Sequence, residues 1–249
     1  MACTGAGIIS ILILFIAVVL NVVSFILPMW STSEVVNGSL KDDVTKADFA
    51  AGIWGYCTDV ELTKNKSGNE SVAFDHCYFF HTSNDYDVSE LNATWAKDFA
   101  SFSVCEGYEK ADSIGSVALS AYAGGLAIAA GMDAGQFEVF LKRSCSALGS
   151  ATIVFASFAA STGVLAFIGL VLGVTCCKNR SSFNVAVKVL ISFAFVSTFL
   201  TFILWLFQSH PLGKEDDVGL SGSFIISVLS AILFFISGGL LARHSKMTS

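Results

Sequence analysis

Four stretches of this chain run for more than twenty residues with almost no charge: 6–29, 150–175, 183–207 and 219–242. That is the length at which an apolar helix crosses a bilayer. Four such stretches within 249 residues leave too little polar sequence to cover them as the core of a soluble protein. Charged residues make up 14% of the chain, against roughly 25% in an ordinary soluble domain. The expected fold is therefore a membrane α-helical one, a four-helix transmembrane bundle carrying one large polar insertion at 30–149.

The first run holds no charge and one strongly polar side chain, Asn21. It is longer than a signal-peptide core, has no basic residues ahead of it and shows no small-x-small cleavage pattern before Pro28, so it is expected to be retained as a helix. Pro28 should end it, with Trp30 at the membrane interface.

Charge orients the four spans. Lys178 and Arg180 stand in the short loop 176–182, Arg243 and Lys246 in the tail 243–249, and Lys188 lies near enough to the start of the third run to reach the same side. All 20 Asp and Glu residues fall in 30–149 or in the loop 208–218. By the positive-inside rule, loop 176–182 and both termini are expected in the cytoplasm and the large insertion outside, in a multi-pass protein of the plasma membrane. Four sequons in the insertion, at Asn37, Asn65, Asn69 and Asn92, agree with that orientation. A fifth, at Asn179, falls on the expected cytoplasmic side, where glycosylation does not occur.

One competitor exists for a fifth span. Ser113 to Met132 is free of charge but rich in Gly, Ala and Ser, so insertion would gain little, and a fifth span would move Lys178 and Arg180 outside. A helical segment at about 113–147, outside the membrane and leading into the second span, is expected instead.

Within the insertion, two segments alternate. Trp54, Tyr56, Thr58, Val60 and Leu62 share one face of the first; Val72, Phe74, His76, Tyr78 and Phe80 share one face of the second. A polar turn at 63–70 separates them. Folding them antiparallel, at about 53–80, sets Leu62 against Val72, Tyr56 against Tyr78 and Trp54 against Phe80. The same register places Cys57 opposite Cys77 on the other face. A Cys57–Cys77 disulfide follows, in an oxidising compartment. Cys105 and Cys145 lie in the same insertion and can form a second bridge. Four cysteines allow three pairings, and only the first pair has register support.

The bundle holds no ionisable group away from the ends of its spans, which argues against a proton-coupled transporter or an intramembrane protease. Asn21 is expected to bond between helices, and Ser157, Ser161, Thr198 and Thr201 to their own backbone. Gly169 and Gly173 suit close helix contact. Cys176 and Cys177, at the cytoplasmic end of the second span, are candidates for palmitoylation. His76, Cys77 and His81 match no zinc spacing, so no metal site is assigned. No phosphate loop, Gly-x-Ser-x-Gly or His-Glu-x-x-His is present, so no catalytic residue and no cofactor are assigned, and the chain is read as a non-enzyme. No basic patch suggests nucleic acid.

Trp30, then Gly52-Ile53-Trp54-Gly55-Tyr56-Cys57, then Cys77, together with Arg143 ahead of the second span, resemble the motif of the claudin, peripheral-myelin-protein and calcium-channel gamma-subunit tetraspans. The cysteines stand further apart than in claudins, which marks a distant member; fungal eisosome and PalI-type tetraspans share a comparable plan and stand as the alternative. The resemblance implies an extracellular antiparallel sheet over a left-handed four-helix bundle. It implies a role in cell-cell contact or membrane-domain organisation by self-association, laterally or between cells, or else an auxiliary subunit modulating a partner channel or receptor. In claudins, acids soon after the first cysteine can line a paracellular pore; Asp59 and Glu61 occupy that region here, where solvated strand residues on an acidic loop are the favoured reading.

Overall fold

The computed structural model describes residues 5–33, 44–63, 71–82, 103–175, 181–213 and 218–248. In chain order the elements are α1 (Gly5–Ile26), β1 (Ser31–Ser33), β2 (Val44–Ala51), β3 (Gly55–Thr63), β4 (Ser71–Phe79), α2 (Val104–Ile114), α3 (Ser116–Ala130), α4 (Ala134–Ser144), α5 (Ala147–Thr175), α6 (Ser181–Ser209), β5 (Gly219–Leu220) and α7 (Gly222–Thr248). They form two units. One takes α1, α5 from Ala151, α6 to Ile203, and α7; the other takes 28–150 and 204–221.

In the first unit, α1, α5, α6 and α7 are each long and apolar enough to cross a membrane. Their buried positions keep one spacing. It is Ser10, Leu14, Ala17, Asn21 and Ser24 on α1, and Ala156, Ala159, Gly163, Ala166 and Leu170 on α5. It continues as Val187, Ile191, Ala194, Thr198 and Thr201 on α6, and Ser223, Ser227, Ser230, Phe234, Ser237 and Leu241 on α7. Alternating steps of three and four give seven residues per two turns, the seam of a left-handed supercoil. Small and hydroxyl residues predominate in the seam because lipid is as apolar as leucine, so helices associate by close packing and hydrogen bonds. Gly163 lies under Phe234, Gly169 against Val187 and Gly173 against Phe183.

Serines join α1 to α7, running in opposite directions. Ser10 and Ser237 each donate to the other's carbonyl at 3.2 Å. Ser230 donates to the Ala17 carbonyl at 2.8 Å. Asn21 bonds between helices as expected, its Nδ2 donating to Thr198 Oγ1 at 3.2 Å. Thr198 and Thr201 in turn donate to the carbonyls of Ala194 and Ser197 on their own helix.

The second unit holds an antiparallel five-stranded sheet in the order β4-β3-β2-β1-β5. The β3–β4 hairpin has the expected register, with Leu62 opposite Val72, Tyr56 opposite Tyr78 and Cys57 opposite Cys77. β5 corrects the expected start of the fourth span at 219. Gly219 and Leu220 pair with Thr32 and Ser31, the Ser221 N–H donates to the Trp30 carbonyl at 3.0 Å, and the helix begins at Gly222.

The single helical segment expected at about 113–147 is three helices starting at Val104. Ser103 caps α2 by accepting from the Glu106 N–H. Two glycines interrupt the helical path, Gly115 at φ 137° and Gly131 at φ 66° in the left-handed region, a conformation glycine adopts without a side-chain clash. Asp133 then caps α4 through the N–H groups of Gly135 and Gln136, and α4 leaves α3 at 106°. At 15 residues, α3 is about 22 Å long, short of the ~30 Å hydrocarbon core. It packs against α2, α4, β2 and β3.

Candidate functional site: the disulfide-held sheet and its helical cap

Strand alternation gives the sheet two different faces. Ser31, Ser33, Phe49, Ala51, Tyr56, Thr58 and Tyr78 are buried on one. Tyr56 stacks on Tyr78 with centroids 5.1 Å apart and meets the edge of Phe137 from α4 at 5.3 Å. Phe80, just past β4, packs edge-on against Phe140 of α4, which reaches Trp205 of α6. Trp205 also lies 5.7 Å from Trp30. Offset and edge-to-face pairs of this kind add to the area that aromatic rings bury. The result is one aromatic core between sheet and helices.

Trp54 departs from expectation. The chain bends at Gly52–Trp54, closed by the Gly52 N–H donating to the Gly55 carbonyl at 2.8 Å. The bend breaks the alternation, so Ile53 takes the buried place and Trp54 is 37% exposed. The ladder nonetheless continues through Trp54, whose carbonyl accepts from the Phe80 N–H at 2.8 Å. Gly55 is fixed by contact: a Cβ there would stand 2.1 Å from the Tyr78 carbonyl oxygen. The motif is thus a backbone crossing. The Trp30 N–H donates to Ala51 at its start, Gly52 closes its bend, and Gly55 lets two strands touch.

The opposite face carries Cys57 and Cys77, joined as a disulfide. A second disulfide joins Cys105 to Cys145, tying the first turn of α2 to the C-cap of α4. The Cys105 N–H also donates to the Phe80 carbonyl at 3.0 Å, so the helical cap is fastened directly to the end of β4. Arg143 donates from Nη1 to the Phe207 carbonyl in the last turn of α6, where carbonyls lack helical partners. Gln208 donates to Ser144 Oγ at 2.9 Å. The basic residue of the motif therefore caps a helix.

Asp59 lies on the disulfide face, half-buried, in register with Asp48 on one side and Asp75 on the other. Glu61 is in register with Lys46 and Ala73. His76 packs edge-on against Tyr78, and Cys77 is committed to its disulfide. His81 is held below the ordinary histidine value by burial, opposed by Glu109. The Tyr108 hydroxyl is pushed up by burial, with Glu138 and Asp112 adding to it. Asn37, Asn65, Asn69, Asn92, Cys176 and Cys177 lie outside the described residues.

The residues that sequence reasoning passed over are Ser31, Phe137, Phe140, Ser144, Trp205 and Gln208. Phe137 and Phe140 are one helical turn apart, and Trp205 and Gln208 repeat that spacing, a signal that one face of each helix end is buried. In comparisons with known proteins, no family model matches this chain and no curated protein matches it.

Proposed function

We propose that this chain is a non-enzymatic four-span protein of the plasma membrane, with cytoplasmic termini. In this reading it organises membrane neighbours, or makes contacts within or between membranes, through its disulfide-held sheet unit. The observation that carries it is the double fastening of that unit. A five-stranded sheet and three helices are tied by Cys57–Cys77 and Cys105–Cys145. Disulfides persist in oxidising compartments, which supports an outside position for the unit, as do the Lys and Arg residues of the short loop and tail. A disulfide-held sheet unit in a chain whose long apolar helices carry Ser10, Asn21, Ser230 and Ser237 in interhelical hydrogen bonds suits recognition better than transport.

The motif resemblance to the tetraspan superfamily of claudins, peripheral myelin proteins and calcium-channel gamma subunits supports this reading. Trp30, Gly52, Gly55, Cys57, Cys77 and Arg143 each hold a specific joint of the sheet unit. The fungal eisosome and PalI-type tetraspans remain the other affiliation. Crosslinking with mass spectrometry in native membranes tests the function. Recovery mainly of the chain with itself supports assembly. Recovery of a stoichiometric channel or receptor subunit replaces it with the auxiliary-subunit reading, which the exposed Trp54 and Phe79 side chains would then serve.

A further inference from the structure

Helix α3 has an apolar face that no described residue covers. From Ser113 to Met132 there is no Asp, Glu, Lys, Arg or His. Val117, Ala121, Gly125 and Ile128 recur at steps of four, four and three and all face outward, Val117 being 84% exposed. Ile114, at the end of α2, is 73% exposed. Gly124 and Gly125 sit near the middle of the helix without positive φ, and a Cβ on either would meet nothing within 4 Å. Glycine weakens a helix relative to alanine. Neither a turn nor a close approach among the described residues calls for it at these two positions.

We propose that this face docks a second copy of the chain, α3 against α3, about a two-fold axis at Ala121. The proposal rests on the self-association reading and names its surface. A two-fold contact requires that residue i meet j and j meet i. Reversing the face about Ala121 sets Val117 over Gly125, with Ala121 against itself. The most exposed large residue of α3 then falls on its open glycine notch, twice.

Charge selects the same surface. The unit that contains α3 holds all 20 acidic residues of the chain and nine of its 14 basic ones. Two such units repel wherever their charges meet. α2 and α4 both carry Glu and Lys, whereas α3 carries neither. A lipid surface is the poorer occupant. Membrane-lying helices use a basic face opposite large apolar or aromatic side chains, and α3 has no Lys or Arg and has glycines on its exposed face. One helix face is smaller than the roughly 800 Å² per partner of a standard interface. Two copies confined to one bilayer meet at high effective concentration, so a smaller contact suffices.

The test uses the full chain reconstituted in lipid vesicles. Ala121→Cys is expected to form an intermolecular disulfide under mild oxidation, and Val139→Cys, exposed on α4, is not. Gly125→Leu is expected to leave both native disulfides intact, since its side chain meets open space within the monomer, and to weaken dimerisation by about tenfold or more. If single-molecule photobleaching shows the wild type self-associating while Gly125→Leu associates equally well, the proposal is overturned and the self-association reading stands. A monomeric wild type overturns both. A fluorophore at Val117→Cys that spin-labelled lipids quench gives the face to the membrane and also overturns the proposal.

Discussion

The indole N–H of Trp205 donates to the Ser31 hydroxyl at 3.0 Å, joining residues 174 positions apart in the chain. Both side chains are buried, and Trp30 and Phe140 pack on the same indole. Ser31→Ala leaves that N–H buried without its acceptor, a loss of about 1–3 kcal/mol. Thermal or denaturant unfolding of the purified chain in detergent, followed by tryptophan emission, is expected to show the loss and a shifted emission maximum.

Gly55→Ala is expected to be among the most damaging single-atom additions in the sheet. Its Cβ would meet the Tyr78 carbonyl oxygen, which belongs to the paired strand and cannot swing aside as a flexible side chain does. Strands β3 and β4 must separate locally, at a cost of more than about 2 kcal/mol. Hydrogen exchange should rise at Phe80, whose N–H bonds to Trp54. Unchanged protection there would refute the close-approach account of this glycine.

Cys145→Ser opens a 40-residue loop. Chain-entropy reasoning assigns about 4 kcal/mol to such a closure and about 3 kcal/mol to the 20-residue Cys57–Cys77 loop. Non-reducing peptide mapping should recover only these two pairs from the native chain. In the variant, the helical cap should become sensitive to protease before the β3–β4 hairpin does. Cys57 found linked to Cys105 contradicts the structure.

His81 gives a pH dependence with a definite sign. Its folded-state pKa lies below the ordinary value of 6.5 because burial disfavours the imidazolium. The unfolded chain therefore takes up the proton first as pH falls. The contribution of His81 to stability is present above about pH 6.5 and is lost as pH falls through the folded value. Wild type should lose stability relative to His81→Gln as the solution is acidified; parallel curves from pH 8 to 5 would rule the effect out.

The β3–β4 register was legible in the sequence because two signals with different origins, side-chain alternation and the positions of Cys57 and Cys77, selected one pairing. β1 and β5 were not, because strands of three and two residues carry no period and owe their existence to partners far away in sequence. Trp54 misled because alternation assumes an unbroken strand, and the bend at Gly52 moves Ile53 inward. The break of the expected 113–147 helix lay with Gly115 and Gly131, whose composition alone does not distinguish them from Gly124 and Gly125 inside α3. The apolar runs announced the four long helices. The serine seam at Ser223, Ser227, Ser230 and Ser237 was visible as a spacing, but hydropathy ranks these residues among the least informative.

Ser31 of β1 finds its partner in Leu220 of β5, and the intervening sequence includes α5 and α6. The ribosome makes β1 early and β5 late, so the nascent sheet waits with one edge unpaired. Until Gly219 and Leu220 emerge, Ser221 is not there to donate to the Trp30 carbonyl and the five-stranded order cannot form. Completion of the sheet therefore reports that translation has reached the last long helix. A chain arrested before that point exposes an unpaired strand edge, the kind of surface that makes incomplete folds prone to aggregate, so the fold itself distinguishes chains that extend past Ser221 from those that do not.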